Sequence, residues 1–181
     1  MIRVLRAADR VAVPWKNGGG VTREVAVWPP GSDLNAFDWR ISIAEVRDEG
    51  PFSVFENIDR TLTILEGRMA LAFTDRTVEL DAYSAPLSFP GDVPCFGTPL
   101  GGPVTDLNVM ARRGRCVAQV NRIVGEMKLP DARPIVFVAI TETTVQVEAE
   151  SLALQVRDAL LIENPAGSLV VDAPALLIAL A

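Results

Sequence analysis

The sequence predicts an all-β protein, two small barrels side by side in one chain, and three observations predict it. Short segments rich in Val, Ile, Leu, Thr and aromatic residues alternate in polarity with a period of two. In the second half, turn signals separate such segments at intervals of roughly 8 to 12 residues, the spacing of sandwiches and barrels. No long segment carries a clean helical period. At 181 residues, 49% of them hydrophobic, the chain is long enough to bury a substantial core. A change of texture after Arg112-Arg113-Gly114-Arg115 divides it into a first barrel, residues 1–115, and a second, smaller β half, residues 116–181.

Residues 3–13 are short and mixed, an edge strand followed by a turn at 7–10. The stretch Pro14-Trp15-Lys16-Asn17-Gly18-Gly19-Gly20-Val21-Thr22-Arg23-Glu24 comes next. Consecutive glycines permit positive φ and close backbone approach. Two readings stand side by side: a tight turn feeding the next strand, or a binding loop in which Lys16, Asn17 and exposed glycine N–H groups hold a carboxylate or phosphate. A nucleotide P-loop is excluded, because Lys16 precedes the glycines and Val-Thr-Arg-Glu follows them. Residues 22–28 have strand character and stop at Pro29-Pro30-Gly31. Residues 37–46 alternate, with Trp39, Ile41 and Ile43 on one face and Arg40, Ser42 and Ala44 on the other.

A turn at 48–51 is followed by Phe52 and Phe55, which plug an end of the core. Residues 59–67 form a strand that places Arg60 on the side of Leu62 and Ile64. Either Arg60 points into an apolar interior, where its charge needs a partner or ligand, or it sits in water at the rim. Residues 69–73 and 77–80 form a hairpin around Thr74-Asp75-Arg76. Turns follow at Pro90-Gly91-Asp92 and at 99–103. Residues 104–110 then alternate, with Asp106, Asn108 and Met110 on one face; the polar pair is a matched acceptor and donor-acceptor set, or a solvent-facing stripe. Beyond 115, strands are expected at 135–140, 144–148, 152–156, 159–162, 168–171 and 176–180, and residues 120–129 hold one short helical turn at most.

Composition excludes several function classes. The formal net charge of -6 argues against nucleic acid as the main partner. Histidine is absent, which removes histidine acid/base chemistry, the Ser-His-Asp triad and imidazole metal sites, and no acidic cluster has calcium-loop spacing. A metal-free, cofactor-free site is the expectation. Cys95 and Cys116 lie far apart and read as reduced thiols. The N-terminus Met1-Ile2-Arg3-Val4-Leu5-Arg6 lacks the apolar core of a signal peptide, so a cytoplasmic protein is expected. No membrane partner is expected either, since the most apolar run, 173–181, contains Pro174 and is half the length of a span.

The chain resembles the HutD/Ves family of bacterial proteins. The match is carried by Pro14-Trp15-Lys16-Asn17-Gly18 with Gly20, Thr22 and Glu24, by Phe37, Trp39-Arg40 and Ser42-Ile43-Ala44, and by Gly50, Phe52-Ser53 and Phe55. It continues through Arg60, Leu65-Glu66-Gly67, Phe89, Gly91-Asp92 and Asp106-Leu107-Asn108. The resemblance implies a bicupin, two cupin-like (RmlC-like jelly-roll) barrels in one chain. It also implies a role in histidine utilisation through binding of a small intermediate such as urocanate or formimidoyl-glutamate.

A non-enzymatic binder of such a carboxylate metabolite is the first functional expectation. Arg40 and Arg60 are the candidates for the carboxylate, Lys16 and Asn17 for the mouth, Asp106 and Asn108 for the ligand's nitrogen end, and Trp15 for stacking. A homodimer is an allowed assembly. The alternative is a metal-independent isomerase or hydrolase of a small organic acid, with Glu24, Glu66 or Asp106 as base.

Overall fold

The computed structural model describes all 181 residues. In chain order its strands are β1 (Ile2–Leu5), β2 (Ala12–Pro14), β3 (Gly20–Trp28), β4 (Trp39–Val46), β5 (Gly50–Pro51), β6 (Ile58–Glu66), β7 (Arg68–Ala72), β8 (Thr77–Asp81) and β9 (Leu87–Pro90). They continue as β10 (Phe96–Pro99), β11 (Val104–Arg112), β12 (Ala118–Lys128), β13 (Ile135–Ala139), β14 (Thr143–Val147), β15 (Glu150–Leu154), β16 (Ala159–Ile162) and β17 (Ser168–Leu180). A single 3-10 turn at Ala7–Asp9 is the helical content. The all-β class expected from alternation is what the chain adopts, as curled antiparallel sheets.

Two compact units divide the chain, one of residues 11–116 and one of 1–10 with 117–181. β1 pairs antiparallel with β16, Ile2 opposite Ile162 and Leu5 opposite Ala159, so the first ten residues belong with the second unit. Nothing local in those residues announces a partner more than 150 positions away.

The unit of residues 11–116 contains a six-stranded sheet in the order β2-β3-β4-β11-β6-β9 and a four-stranded sheet in the order β5-β10-β7-β8. Side chains from both sheets make one core: Ala44 and Val46 of β4, Leu62 and Ile64 of β6, Met69 and Leu71 of β7, Leu80 of β8 and Phe89 of β9. The faces follow from strand parity. On β4, Arg40, Ser42 and Ala44 alternate with Trp39, Ile41 and Ile43, as the sequence predicts. On β6 the same parity sends Arg60, Leu62 and Ile64 to the inner side. Phe52 packs against this core, and Phe55 against a second cluster of Phe37, Ile58 and Met110.

The other unit is one branched sheet, ordered β1-β16-β13-β17-β14-β15 with β12 along the remaining edge of β17. Its hydrophobic core includes Ile135, Phe137, Leu160, Ile162, Leu169, Val171 and Leu177. Two expectations are corrected here. Of residues 120–129, read as holding one short helical turn at most, all but Leu129 belong to the eleven-residue β12, which runs antiparallel to β17 from Ala118 opposite Leu180 to Lys128 opposite Ser168. The register shifts between Ile123 and Gly125, and Gly125 takes φ +81, so the alternation that marks a strand is broken in mid-run. Segments 168–171 and 176–180, read as two strands, are one continuous β17. Pro174 sits opposite that register shift, where no ladder N–H is required.

Candidate functional site

The inner face of the six-stranded sheet brings together residues that are far apart in the chain. β11 lies between β4 and β6, with Asn108 opposite both Ser42 and Leu62, Asp106 opposite Ala44 and Ile64, and Met110 opposite Arg40 and Arg60. Arg60, Asn108 and Asp106 therefore share one face on adjacent strands.

Arg60 is 5% exposed and Asp106 2%. The two open readings of Arg60 resolve to the inward one. Its Nη1 donates to the Ser53 carbonyl at 3.1 Å, and its Nε reaches Asn108 Oδ1 only at 3.5 Å. A guanidinium carries five N–H donors, so most of its hydrogen-bonding capacity is uncommitted. The rings of Phe52, Phe55 and Phe89 lie around its Cζ at 5.2, 5.6 and 5.4 Å, cation–π contacts that enclose the charge. Burial pulls the Arg60 pKa down from its usual range, while the nearby Asp106 opposes the shift; the group stays charged.

Asp106 shows the complementary condition. Burial pushes its pKa up to about 7, and the Arg60 charge only partly opposes this. No N–H or O–H donates to its carboxyl. A buried acid in a finished core is ordinarily satisfied by donors. Cys95, also buried, completes the group; burial raises its thiol pKa against the pull of Arg60.

The other candidates lie elsewhere or are already engaged. Arg40 lies on the same face but is bound to Glu24, Nε to Oε2 at 2.9 Å. Trp15 Nε1 donates to Thr22 Oγ1 at 2.8 Å, and the ring packs against the core and against Gly20. Gly20 is required by that approach, since a Cβ there would lie 2.9 Å from the ring and 2.7 Å from the Glu45 carbonyl. Lys16 and Asn17 are exposed on the β2–β3 hairpin. Its N–H groups are spent locally, Gly18 on the Trp15 carbonyl at 3.0 Å and Gly19 on Asn17 Oδ1 at 3.1 Å. The Gly19 carbonyl accepts from the Arg47 and Asp48 amides, which ties the loop to the end of β4.

Of the three carboxylates considered as bases, only Asp106 is buried; Glu24 and Glu66 are exposed. The aromatic enclosure, the Ser53 carbonyl and Cys95 are parts of the site that the sequence does not reveal. Phe52 and Phe55 can be placed at the core's end, but nothing local shows that they surround a guanidinium. No three His, Cys, Asp or Glu side chains gather closely enough to hold a metal ion, and no helix is long and apolar enough to cross a membrane.

These features define an all-β protein of curled sheets with a buried polar site on the inner face of one of them. The chain belongs to the HutD family, whose sequence profile matches residues 7–179. It is 30% identical over 159 residues to an uncharacterised 21.2 kDa protein from the hutC 3′ region of Pseudomonas putida, covering 85% of this chain and 81% of that one. It is 38% identical over 108 residues to the protein Ves of Citrobacter koseri, a match that spans 59% of this chain and 56% of Ves. Among solved structures it superposes on HutD from Pseudomonas fluorescens SBW25 with a TM-score of 0.88 at 31% identity, covering 100% of this chain and 98% of that one.

Proposed function

We propose that this protein is a non-enzymatic small-molecule binder, built of two cupin-like barrels, that takes a carboxylate-bearing intermediate of histidine degradation, urocanate or formimidoyl-glutamate, and so modulates histidine utilisation. The observation that carries the reading is the unfinished pair on the inner face. Arg60 is a buried cation with uncommitted donors, and Asp106 is a buried acid with no donor of its own. A ligand with a carboxylate at one end and an N–H at the other supplies both missing partners.

In this reading the carboxylate bonds the Arg60 guanidinium through two parallel N–H groups. Asn108 and Asp106 meet the nitrogen end. Trp15 contributes an apolar wall, while Lys16, Asn17 and Arg40 attract the anion toward the site. The gene neighbourhood of the P. putida relative supports the metabolic context. The ligand is held without metal or cofactor, and neither nucleic acid nor membrane takes part; a homodimer is compatible with the reading.

One observation favours a second reading. An acid with a pKa of about 7 is suited to general base catalysis near neutrality, which would make the protein a metal-independent isomerase or hydrolase with Asp106 as base. Curled β folds of this kind do not decide between binder and enzyme. Calorimetric titration of Arg60→Ala and the parent, with each mixture followed by NMR, separates the readings. Binding without product, weakened about 10- to 150-fold by the substitution, supports the binder, on the roughly 1.5 to 3 kcal/mol of a charge-assisted hydrogen bond. An affinity unchanged within about twofold removes Arg60 from the site, and product formation establishes the enzyme.

A further inference from the structure

Beside Asp106, the inner face of the six-stranded sheet carries one guanidinium that no carboxylate bonds; Arg112, of the same parity at the end of β11, is spent on the Phe37 and Asn35 carbonyls. Arg60 donates to a carbonyl and an amide oxygen, whereas Arg40 is already neutralised by Glu24. One ligand carboxylate on Arg60 therefore completes the available ion pairing. A second carboxylate lies in the field of Asp106, the buried acid on the same face, where Arg60 is the one cation acting. Resting on the carboxylate site described above, we propose that the site selects ligands carrying a single carboxylate, and that Asp106 is the specificity-determining residue that rejects a second.

The physical basis is charge count in a poorly solvated space. Two carboxylates facing one guanidinium leave a buried negative charge uncompensated. The charged and titratable groups around Arg60 offer no relief: Arg60 itself, from β6, is taken by the first ligand carboxylate, and Cys95, from the segment before β10 and in the field of Arg60, is a thiol whose ionisation burial opposes. A ligand whose far end bears an N–H donates to the open acceptor instead. Rejection is strongest when Asp106 is ionised and weakens when it takes a proton, which places the change near pH 7.

The test compares 4-aminobutyrate with glutamate, and urocanate with formimidoyl-glutamate, by calorimetry at pH 8 and pH 6, on the parent and on Asp106→Asn. The first pair has no group titrating between these pH values, so any change belongs to the protein. At pH 8 each one-carboxylate compound is expected to bind at least tenfold more tightly than its two-carboxylate partner. That ratio is expected to shrink at least threefold at pH 6 in the unmodified protein, and at both pH values in Asp106→Asn. The pH comparison stands even if the variant folds poorly. Equal or tighter binding of the two-carboxylate compounds at pH 8 overturns the proposal, as does a ratio that neither pH nor Asp106→Asn alters. If none of the four compounds binds, the carboxylate-site reading itself fails, and the selectivity fails with it.

Discussion

Asp106→Asn is expected to make this protein more stable above neutral pH while leaving its stability below about pH 4 nearly unchanged. Burial shifts the carboxyl pKa from its ordinary 3.8 to about 7, so between those values the native state holds a proton that the unfolded chain has released. Stability therefore falls as pH rises through that window and levels off above it. Each pKa unit corresponds to about 1.36 kcal/mol, which gives about 4 kcal/mol at full ionisation and about 2 kcal/mol if the surroundings relax around the charge. The substituted side chain's amide has nearly the shape of the carboxylic acid and never ionises. Urea unfolding of both proteins at about pH 3.5 and pH 8 reads the difference: agreement within about 1 kcal/mol at the acid pH, and a variant about 2 to 4 kcal/mol more stable at pH 8. Parallel pH profiles would show that Asp106 ionises in the fold at no cost, and the burial argument would fall.

Other substitutions probe the supports of the site and of the second unit. Gly97→Ala places a Cβ 2.5 Å from Phe52 Cε1, and Phe52 lies over the Arg60 guanidinium. The expected result is a loss of about 1 to 3 kcal/mol in thermal or urea unfolding, together with weaker ligand binding by calorimetry. Gly20→Ala crowds Trp15 and the Glu45 carbonyl and is expected to cost a similar amount in urea unfolding. In the second unit Asp158 accepts from Arg6 Nη1 and the Ala7 amide at 2.7 Å each and from the Gln155 amide at 3.0 Å. Burial raises the Asp158 pKa, but these bonds outweigh it and hold the pKa below the ordinary carboxylate value. Its contribution is fully present above that ordinary value and is lost as pH falls through the folded pKa. Asp158→Ala is therefore expected to cost about 2 to 4 kcal/mol at neutral pH, with the gap narrowing in acid unfolding experiments.

Much of the site is legible as parity. Alternation alone puts Arg60 with Leu62 and Ile64, Asp106 with Asn108, and Arg40 with Ser42 and Ala44, and each set shares a face in the fold. What the chain does not disclose is adjacency. β6 and β11 pair across a separation of 48 residues at the Arg60–Asn108 contact, and no local signal encodes which strand becomes a neighbour. The same limit hides β1's place beside β16. β12 escapes detection for a different reason: a register shift at Gly125, with Arg122 and Glu126 on either side, erases the two-residue period there. Its strand conformation is fixed by pairing with β17. Lys16 and Asn17 stand out by residue type, whereas the hairpin uses Asn17 and the glycine amides to satisfy itself.

In the proposed binder, the inner-face pair of Arg60 and Asp106 waits for a carboxylate ligand with an N–H at its far end. Calorimetric titration of the whole protein with urocanate and with formimidoyl-glutamate at pH 6.5 puts that pairing to the test. Saturable one-to-one binding of at least one compound, lost or weakened tenfold or more in Arg60→Ala, is the predicted result. Absence of binding by both, or binding that Arg60→Ala leaves intact, would contradict it.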